Sequence, residues 1–292
     1  MTGIAADAGF VFNRAGPPPE QPAISVICLN KDHGAYIEDS ILSVLGQKFD
    51  DFEFIVADGG STDNSLDVIA KYPFIRLLPG SDRSRPEGIL RATAAARGRY
   101  IMFTTSTDGY LSRNWFSSVA ALLDREPQVS LVFGASAAMS EDGTLGGVTY
   151  PGSVLASAPQ REQMASLWLT HGLSHAYLPE LNYCMRLNVF RALIGESGDF
   201  PELNGIDPIL RVHFEFHRLG FLAAYQPILA NFGRTHPEQD QFSEKNQRYL
   251  ALYNDVWGRY RDDVLAGRRV HVLRDGTGQP FVRFDVGAAA AG

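Results

Sequence analysis

The feature that most constrains the fold is the stretch FEFIVADGGSTDNS at residues 52–65. Its apolar first half ends abruptly at a cluster of Asp, Gly, Ser and Thr. A short apolar run bounded by turn-forming residues indicates a buried strand that leads into a turn. Ser61 or Thr62 can then cap a helix over residues 64–71. Asp58 is therefore expected at the carboxyl end of a parallel strand, where open α/β sheets bind ligands.

The role of Asp58 stays open at this point. Its carboxylate could accept hydrogen bonds from the edge of a nucleotide base or from a ribose. The alternative is a carboxylate that is satisfied within an ordinary strand-to-helix turn. The sequence of this stretch favours neither.

Predicted strands and helices alternate along the first half of the chain. The near-continuous apolar run over residues 24–29 is typical of a strand buried on both faces. The sequence predicts an α/β fold with a mostly parallel, Rossmann-like sheet flanked by helices. The remaining predicted elements of this half are a helix over 36–45, a strand over 75–78, a helix over 87–97, a strand over 100–103, a helix over 114–124 and a strand over 129–133.

The second half is less regular. We expect a helix over 155–170, a loop with His171 and His175, a strand passing into a helix over 183–193, a turn over 204–208 followed by a helix to 218, a strand over 221–229, a polar segment over 231–241 and an amphipathic helix over 247–260.

Composition excludes several classes of protein. The chain has 292 residues and a net charge of −7, and a nucleic-acid binder usually carries a basic surplus. Its two cysteines, Cys28 and Cys184, are too few for a disulfide framework, which favours a cytoplasmic setting with reduced thiols. We expect no signal peptide, and no apolar run reaches the roughly 18 residues of a membrane span. Peripheral contact with a membrane and the oligomeric state remain open.

Four segments give the chain a resemblance to the family-two glycosyltransferases, which are inverting enzymes of GT-A fold that use nucleotide-diphosphate sugars. The segment over residues 40–65 is the most specific of the four. The resemblance spans about residues 23–140, with weaker similarity to about 245. The segments are ISVICLN at 24–30, SILSVLGQKFDDFEFIVADGGSTDNS at 40–65, ARGRYIMF at 96–103 and TSTDGYL at 105–111.

The resemblance implies a set of residues that bind the nucleotide end of the donor. In the family, the end of the first strand and the Asp of the second segment hold the base, and a carboxylate after the third strand contacts the nucleoside. The positions that match are Cys28, Leu29, Asn30, Asp58 and Asp82.

The chain departs from the family where a divalent metal usually binds. The family has Asp-x-Asp after the fourth strand, often followed by another Asp. If Asp108 takes the last of these places, Thr105 and Thr107 stand where carboxylates are usual. A hydroxyl is a poorer ligand than a carboxylate for Mg²⁺ or Mn²⁺. One carboxylate together with the substrate's phosphates leaves such a metal open, with Thr107 expected to contact the substrate and His236 to be a second ligand.

Two further positions concern the chemistry of transfer. Inversion needs a general base for the acceptor hydroxyl and positive charge at the leaving diphosphate. Asp207 precedes a helix at the place of the family's acidic motif and is the candidate base, although it could equally be an N-cap before Pro208. Arg234, in Arg-Thr-His, is expected to bind phosphate. Where the metal site is weakened, Arg83, Arg85 and Arg91 are candidates to supply positive charge to the phosphates instead, and the alternative is that these arginines form a solvated face.

The resemblance also implies a division of the chain and a function. Residues 1–22 are expected to form a Pro-rich leader or linker, 23–140 a nucleotide-sugar-binding half, 141–265 an acceptor-binding half and 266–292 a C-terminal extension. The expected acceptor is a glycan or a lipid-linked sugar in bacterial surface polysaccharide synthesis. A catalytically inactive sugar-nucleotide-binding or scaffold protein is the alternative. A nucleotidyltransferase or a dinucleotide oxidoreductase lacks support, because no Gly-rich loop follows the first strand.

Overall fold

The structure is a computed structural model that describes residues 17–149, 183–236 and 244–284. Most of the leader over residues 1–22 lies outside the described residues. So do the helix predicted over 155–170 and the loop with His171 and His175.

The described chain alternates strands and helices in its first half and adds longer strands in its second. The strands are β1 (Ile24–Asn30), β2 (Phe52–Asp58), β3 (Ile75–Pro79), β4 (Tyr100–Thr105), β5 (Gly109–Tyr110), β6 (Val129–Met139), β7 (Leu145–Thr149), β8 (Tyr183–Arg186), β9 (Leu222–Arg234), β10 (His271–Arg274) and β11 (Pro280–Phe284). The helices are α1 (Ile37–Leu45), α2 (Ser65–Ile69), α3 (Arg85–Ala95), α4 (Trp115–Arg125), α5 (Leu187–Leu193), α6 (Pro208–Arg218) and α7 (Glu244–Leu265), with a 3₁₀ turn at Pro201–Gly205.

Nine of the described strands form one sheet in the order β3-β2-β1-β4-β8-β6-β9-β5, with β7 paired to β6. β3, β2, β1 and β4 run parallel to one another, as the βαβ pattern predicted. β8 is antiparallel to both β4 and β6 and joins the two halves of the sheet. The predicted α/β fold class is confirmed.

Both faces of the sheet are covered, which explains the apolar runs in its central strands. In β1, Val26 and Cys28 point into one apolar cluster and Ile27 into another. The first cluster includes residues of α1, α2 and α4, and the second includes residues of α3, α5 and α6. A parallel strand packed on both faces must be apolar at nearly every position.

The strand register brings the ends of β1, β2 and β4 to one edge of the sheet. Asn30 lies opposite Asp58 in the parallel ladder of β1 and β2. Leu29 lies opposite Thr105 in the ladder of β1 and β4. The polar residues that end these strands therefore collect at one place.

Two predicted strands continue five or more residues beyond their expected ends in the structure. The strand expected over 129–133 continues to Met139, and the polar segment expected from residue 231 is still part of β9 as far as Arg234. The two extensions pair with each other, Asn231 with Ser136 and Arg234 with Met139. The sequence suggested an exposed loop there because Asn231 and Arg234 are polar, but both residues are buried in the structure.

The predicted C-terminal extension contains the β10–β11 hairpin, and an isolated bridge between Phe221 and Arg274 joins it to the main fold. Over the residues that are described, none of the helices combines the length and the apolar character that crossing a bilayer would require.

Candidate active site

A cleft of about 290 Å³ lies at the edge where β1, β2 and β4 end. It is lined by the ends of these strands and by the loop and first turn of α3. The lining residues are Leu29, Asn30, Lys31, His33, Ala57, Gly59, Asp82, Arg83, Ser84, Arg85, Gly88, Thr105 and Ser106. The lining has polar groups from the strand tips together with the cationic Lys31, Arg83 and Arg85.

Asp58 supports the wall of this cleft from below. It is only 1% exposed, and its Oδ1 accepts hydrogen bonds from the backbone N–H of Gly60 at 2.9 Å and of Ser61 at 2.8 Å. Its Oδ2 accepts from Asn30 Nδ2 at 2.8 Å and from Ser61 Oγ at 2.6 Å. Burial alone would raise the pKa of Asp58, but the hydrogen bonds from Ser61, Asn30 and Gly60 outweigh it and hold that pKa below its usual value.

The amide of Asn30, at the cleft wall, has one acceptor without a partner among the described residues. Asn30 Nδ2 donates to both Asp58 and Ser61, which fixes the amide. Its Oδ1 is buried and has no hydrogen-bond partner among the described residues. A buried acceptor without a partner is costly, so a ligand that donates an N–H or O–H here would gain the full hydrogen bond.

Asp82 is held by an arginine that also ties two strand ends together. Arg91 Nη2 lies 2.5 Å from Asp82 Oδ2, and Arg91 Nε lies 3.3 Å from Oδ1. The same guanidinium donates to the backbone oxygen of Leu78 at 2.6 Å and of Asp58 at 3.0 Å. Gly88 packs against Asp82, since a Cβ there would lie 3.0 Å from Oδ2. Asp82 is therefore fixed in position on the cleft wall.

Asp108 lies one hydrogen bond away from the cleft lining. Its Oδ2 accepts from Thr105 Oγ1 at 2.9 Å, and its Oδ1 accepts from the backbone N–H of Arg234 at 3.0 Å. Thr105 and Thr107 are joined through their hydroxyls at 3.0 Å. Of the two threonines at the positions of the expected carboxylates, Thr105 connects Asp108 to the cleft, and Thr107 contacts Thr105.

The guanidinium of Arg234 is 3% exposed and is used within the protein. Its Nη2 lies 2.7 Å from Asp39 Oδ2, its Nη1 donates to the Glu141 backbone oxygen at 3.0 Å, and its Nε donates to the Thr107 backbone oxygen at 3.3 Å. The guanidinium carbon also lies 5.2 Å from the centre of the Tyr36 ring. These contacts suit a residue that holds β9 against α1 and the turn after β4.

Two histidines from distant parts of the sequence meet beside the cleft. His33, in the turn after β1, lines the cleft, and its Nδ1 lies 2.9 Å from Ser106 Oγ. The ring of His236 lies edge-on to it, with 5.4 Å between centroids, and lies 6.1 Å from the ring of Tyr36. His236 thereby comes close to the turn that carries Ser106 and Asp108.

Asp207 is the N-cap of α6 and is also paired across to α3. Its Oδ1 accepts from the backbone N–H of Ile209 at 2.8 Å. Its Oδ2 lies 3.3 Å from Arg85 Nη1, and Arg85 lines the cleft. The capping alternative weighed from the sequence is present in the geometry, and the second oxygen of Asp207 faces the cationic side of the cleft.

The cleft brings together some of the sequence-predicted residues directly. Leu29, Asn30, Asp82 and Arg83 line it. Others reach it through one partner: Asp58 through Asn30, Asp108 through Thr105, His236 through His33 and Asp207 through Arg85.

Three predicted residues have their side chains inside the protein instead. Thr107 and Arg234 are buried. Cys28 lies within the apolar cluster under the sheet, and its burial raises the pKa of the thiol to about 12. Its side chain is therefore an apolar packing group, and only its backbone runs along the strand that ends at the cleft.

Sequence reasoning missed Lys31, His33 and Ser106, which line the cleft, and Asp39, which pairs with Arg234. A signal was available for the first two, because they directly follow the end of β1, where ligands bind in open sheets. Ser106 follows β4 in the same way. Nothing local marks Asp39, since an acidic residue in the first turn of a helix is common.

Asp108 and His236 are the side chains near the cleft that could contribute to holding a divalent cation together with a ligand's phosphates. Within residues 17–149, 183–236 and 244–284, no three or more His, Cys, Asp or Glu side chains cluster as a metal site would require. Mg²⁺ is nevertheless often held by one or two carboxylates together with substrate phosphates. Asp108 supplies one carboxylate, and His236 lies two residues beyond the backbone N–H that Asp108 accepts.

Comparisons with known proteins agree with this architecture. Residues 23–164 match the model of the family described as Glycosyl transferase family 2, which confirms the resemblance drawn from the sequence. A glycosyltransferase of Bacillus subtilis named for teichuronic acid biosynthesis is 28% identical over 133 residues, or 42% of this chain and 50% of the relative. A Mycobacterium bovis glycosyltransferase named for PGL/p-HBAD biosynthesis is 27% identical over 118 residues, or 39% of this chain and 46% of the relative. The chain thus spans about half the length of these two curated relatives.

Solved structures share the fold over most of the chain. Staphylococcus aureus TarS in complex with UDP gives a TM-score of 0.57 at 17% identity and covers 84% of this chain and 70% of its own. The mannosyltransferase PcManGT of Pyrobaculum calidifontis, in complex with GDP-Man and Mn²⁺, gives 0.58 at 16% identity, covering 86% and 68%. At these identities the likeness establishes the GT-A fold.

Proposed function

We propose that this chain, whose residues 23–164 match the model of glycosyl transferase family 2, moves a sugar from a nucleotide-diphosphate donor to a glycan or lipid-linked acceptor, with inversion at the anomeric carbon. The observation that carries the proposal is the cleft at the strand tips. It combines an acceptor on Asn30 that lacks a partner with a fixed carboxylate on Asp82 and the cations Lys31, Arg83 and Arg85.

The oxygen acceptors of the cleft suit the nucleoside of a nucleoside diphosphate, and its cations suit the phosphates. Amide and carboxylate oxygens accept hydrogen bonds from a base edge or from ribose hydroxyls. Lysine and arginine bind phosphate oxygens, arginine in a bidentate manner. Lys31 lines the cleft, where its ammonium group can contact a phosphate. The solved relatives named above were obtained with UDP and with GDP-Man, which supports a donor of this class.

The proposed reaction is one displacement. The oxygen of the acceptor hydroxyl forms a bond to the anomeric carbon as the bond from that carbon to the diphosphate oxygen breaks. The electron pair of the broken bond leaves with the diphosphate. The proton of the acceptor hydroxyl passes to Asp207 Oδ2, the oxygen that does not cap α6. Attack opposite the leaving group inverts the anomeric carbon.

Charge at the leaving group is neutralised by the cationic side of the cleft. Arg85 and Lys31 lie on that side. Asp108 and His236 are the residues that would hold a divalent cation, which when bound supplies further positive charge to the diphosphate. Arg234 positions this region through its bond to Asp39 and its backbone bond to Asp108.

The relatives named for teichuronic acid and PGL/p-HBAD biosynthesis support an acceptor among bacterial surface glycans or glycolipids. We place the proposed reaction in the cytoplasm, at the inner face of the membrane where lipid-linked acceptors are exposed.

The test is a panel of nucleotide-diphosphate sugars scored for binding by thermal shift and for release of nucleoside diphosphate in the presence of surface-glycan acceptors. A ligand that binds only the folded chain raises its melting temperature by mass action. We expect one donor to stabilise the chain and to be turned over when an acceptor is present, with Asp207→Asn losing turnover but retaining binding.

A second candidate is favoured by Thr105 and Thr107, which stand where the resemblance to the family implies carboxylates. A sugar-nucleotide-binding protein without catalysis would bind a donor and release no product with any acceptor.

Asp207→Asn with unchanged turnover would contradict the assignment of the base. Absence of binding by every donor would contradict the proposed function itself.

A further inference from the structure

Arg85 and Asp207 form an ion pair, although in the proposed reaction Arg85 binds the diphosphate and Asp207 accepts a proton from the acceptor. Arg85 is the first residue of α3 and Asp207 is the N-cap of α6, 122 positions later in the chain. Their side chains are 39% and 12% exposed, and Nη1 lies 3.3 Å from Oδ2. Asp207 Oδ1 is already bound to the Ile209 backbone N–H. Both oxygens of the carboxylate therefore have partners.

A carboxylate in this state is poorly prepared to accept a proton from an acceptor hydroxyl. An arginine on Oδ2 occupies the oxygen that would receive the proton and favours the ionised form. The same arginine lines the cleft and can bind phosphate oxygens. The Arg85 guanidinium can therefore pair with the Asp207 carboxylate or with a diphosphate in the cleft, but it cannot pair fully with both at once.

We propose that Arg85 exchanges partners when the donor binds: it leaves Asp207 Oδ2 for the diphosphate and thereby frees that oxygen to serve as the base. The inference rests on the proposed function, which supplies the diphosphate and the role of Asp207. It adds that donor binding activates the base. Asp207 does not need to move, because its cap to Ile209 holds the backbone and Oδ1 in place.

The exchange has an energetic consequence that can be measured without turnover. Before the donor binds, Asp207 competes with the diphosphate for Arg85. Removing the charge of Asp207 should therefore tighten the binding of a nucleoside diphosphate. Asp207→Asn is the suitable change, since Asn caps a helix as well as Asp does and its oxygen can still accept from Ile209.

The experiment measures by calorimetry the affinity of the full chain for the nucleoside diphosphate that it binds best and for the matching nucleoside. We expect Asp207→Asn to bind the diphosphate about two- to five-fold more tightly, the equivalent of a partly exposed ion pair, with the affinity for the nucleoside unchanged. An unchanged or weaker affinity for the diphosphate would overturn the proposal.

A double-mutant cycle separates exchange from a general effect of charge. In an Arg85→Met background, or in Arg85→Gln if the first variant unfolds, Asp207→Asn should give no gain. In an Arg83→Met background the gain should persist, because the Arg83 side chain is 90% exposed and is paired to Glu87. A gain that survives the loss of Arg85 would mean that Asp207 merely repels the ligand, and the proposal would be wrong. If the wild-type chain binds no nucleotide, the proposed function fails before this question arises.

Discussion

Arg91→Met tests whether one guanidinium holds the donor side of the cleft in position. Arg91 bonds the carboxylate of Asp82 and the backbone oxygens of Leu78 and Asp58, at the ends of β3 and β2. Methionine keeps the apolar stem and removes all of these hydrogen bonds. Each hydrogen bond to a charged group contributes about 1.5–3 kcal/mol, and the partial exposure of the Arg91–Asp82 pair reduces that share. We expect a total loss of about 2–3 kcal/mol in the free energy of unfolding.

The variant should also bind its nucleotide more weakly, by about ten-fold, because Asp82 loses the partner that fixes it on the wall. Urea unfolding and calorimetry with the best-binding nucleoside diphosphate measure the two effects. Arg83→Met is the matched control for stability, since its exposed ion pair with Glu87 should contribute less than about 0.5 kcal/mol. If Arg91→Met unfolds within about 0.5 kcal/mol of the wild type, the bridging account is refuted.

Three further outcomes follow from the site. Asp58→Asn should lower the free energy of unfolding, and the full difference from the wild type should be present above the ordinary carboxyl pKa of 3.8. The difference should disappear as the pH falls through the lowered pKa of Asp58 in the folded chain, which urea unfolding at successive pH values measures. A difference that grows in acid would contradict the hydrogen bonds described. Gly60→Ala should lose about 1–2 kcal/mol in the same assay, because φ is +87° and the new Cβ would lie 3.0 Å from the Gly80 oxygen; an unchanged stability would show that this turn is not constrained. A chelator and Asp108→Asn should each weaken nucleoside diphosphate binding by roughly ten-fold and should not add to each other; a full chelator effect in Asp108→Asn would place the cation elsewhere.

The sequence predicted the sheet edge well because its signals are local. Apolar runs followed by Asn, Asp or Gly mark where a buried parallel strand ends, and parallel strands end at the same edge. The resemblance to the family implied that Asn30 and Asp82 both contact the nucleotide, and both line the cleft. The register of β1 with β2 then brings Asp58 beneath Asn30.

Contacts between distant segments could not be predicted in the same way. The pairing of Arg85 with Asp207 depends on how α6 approaches α3, and the meeting of His33 with His236 depends on the course of β9. Hydrophobic pattern also misleads where polar residues are buried. Arg234 looks like an exposed loop residue in sequence, but Asp39 and two backbone oxygens satisfy its guanidinium inside the fold.

A crystal structure of the full chain with the best-binding nucleoside diphosphate tests the central claim most directly. The account predicts the base or ribose within hydrogen-bond distance of Asn30 Oδ1 or the Asp82 carboxylate, and phosphate oxygens at Arg85 or Lys31. Density for the nucleotide on any other surface, with this cleft left without ligand, would contradict it.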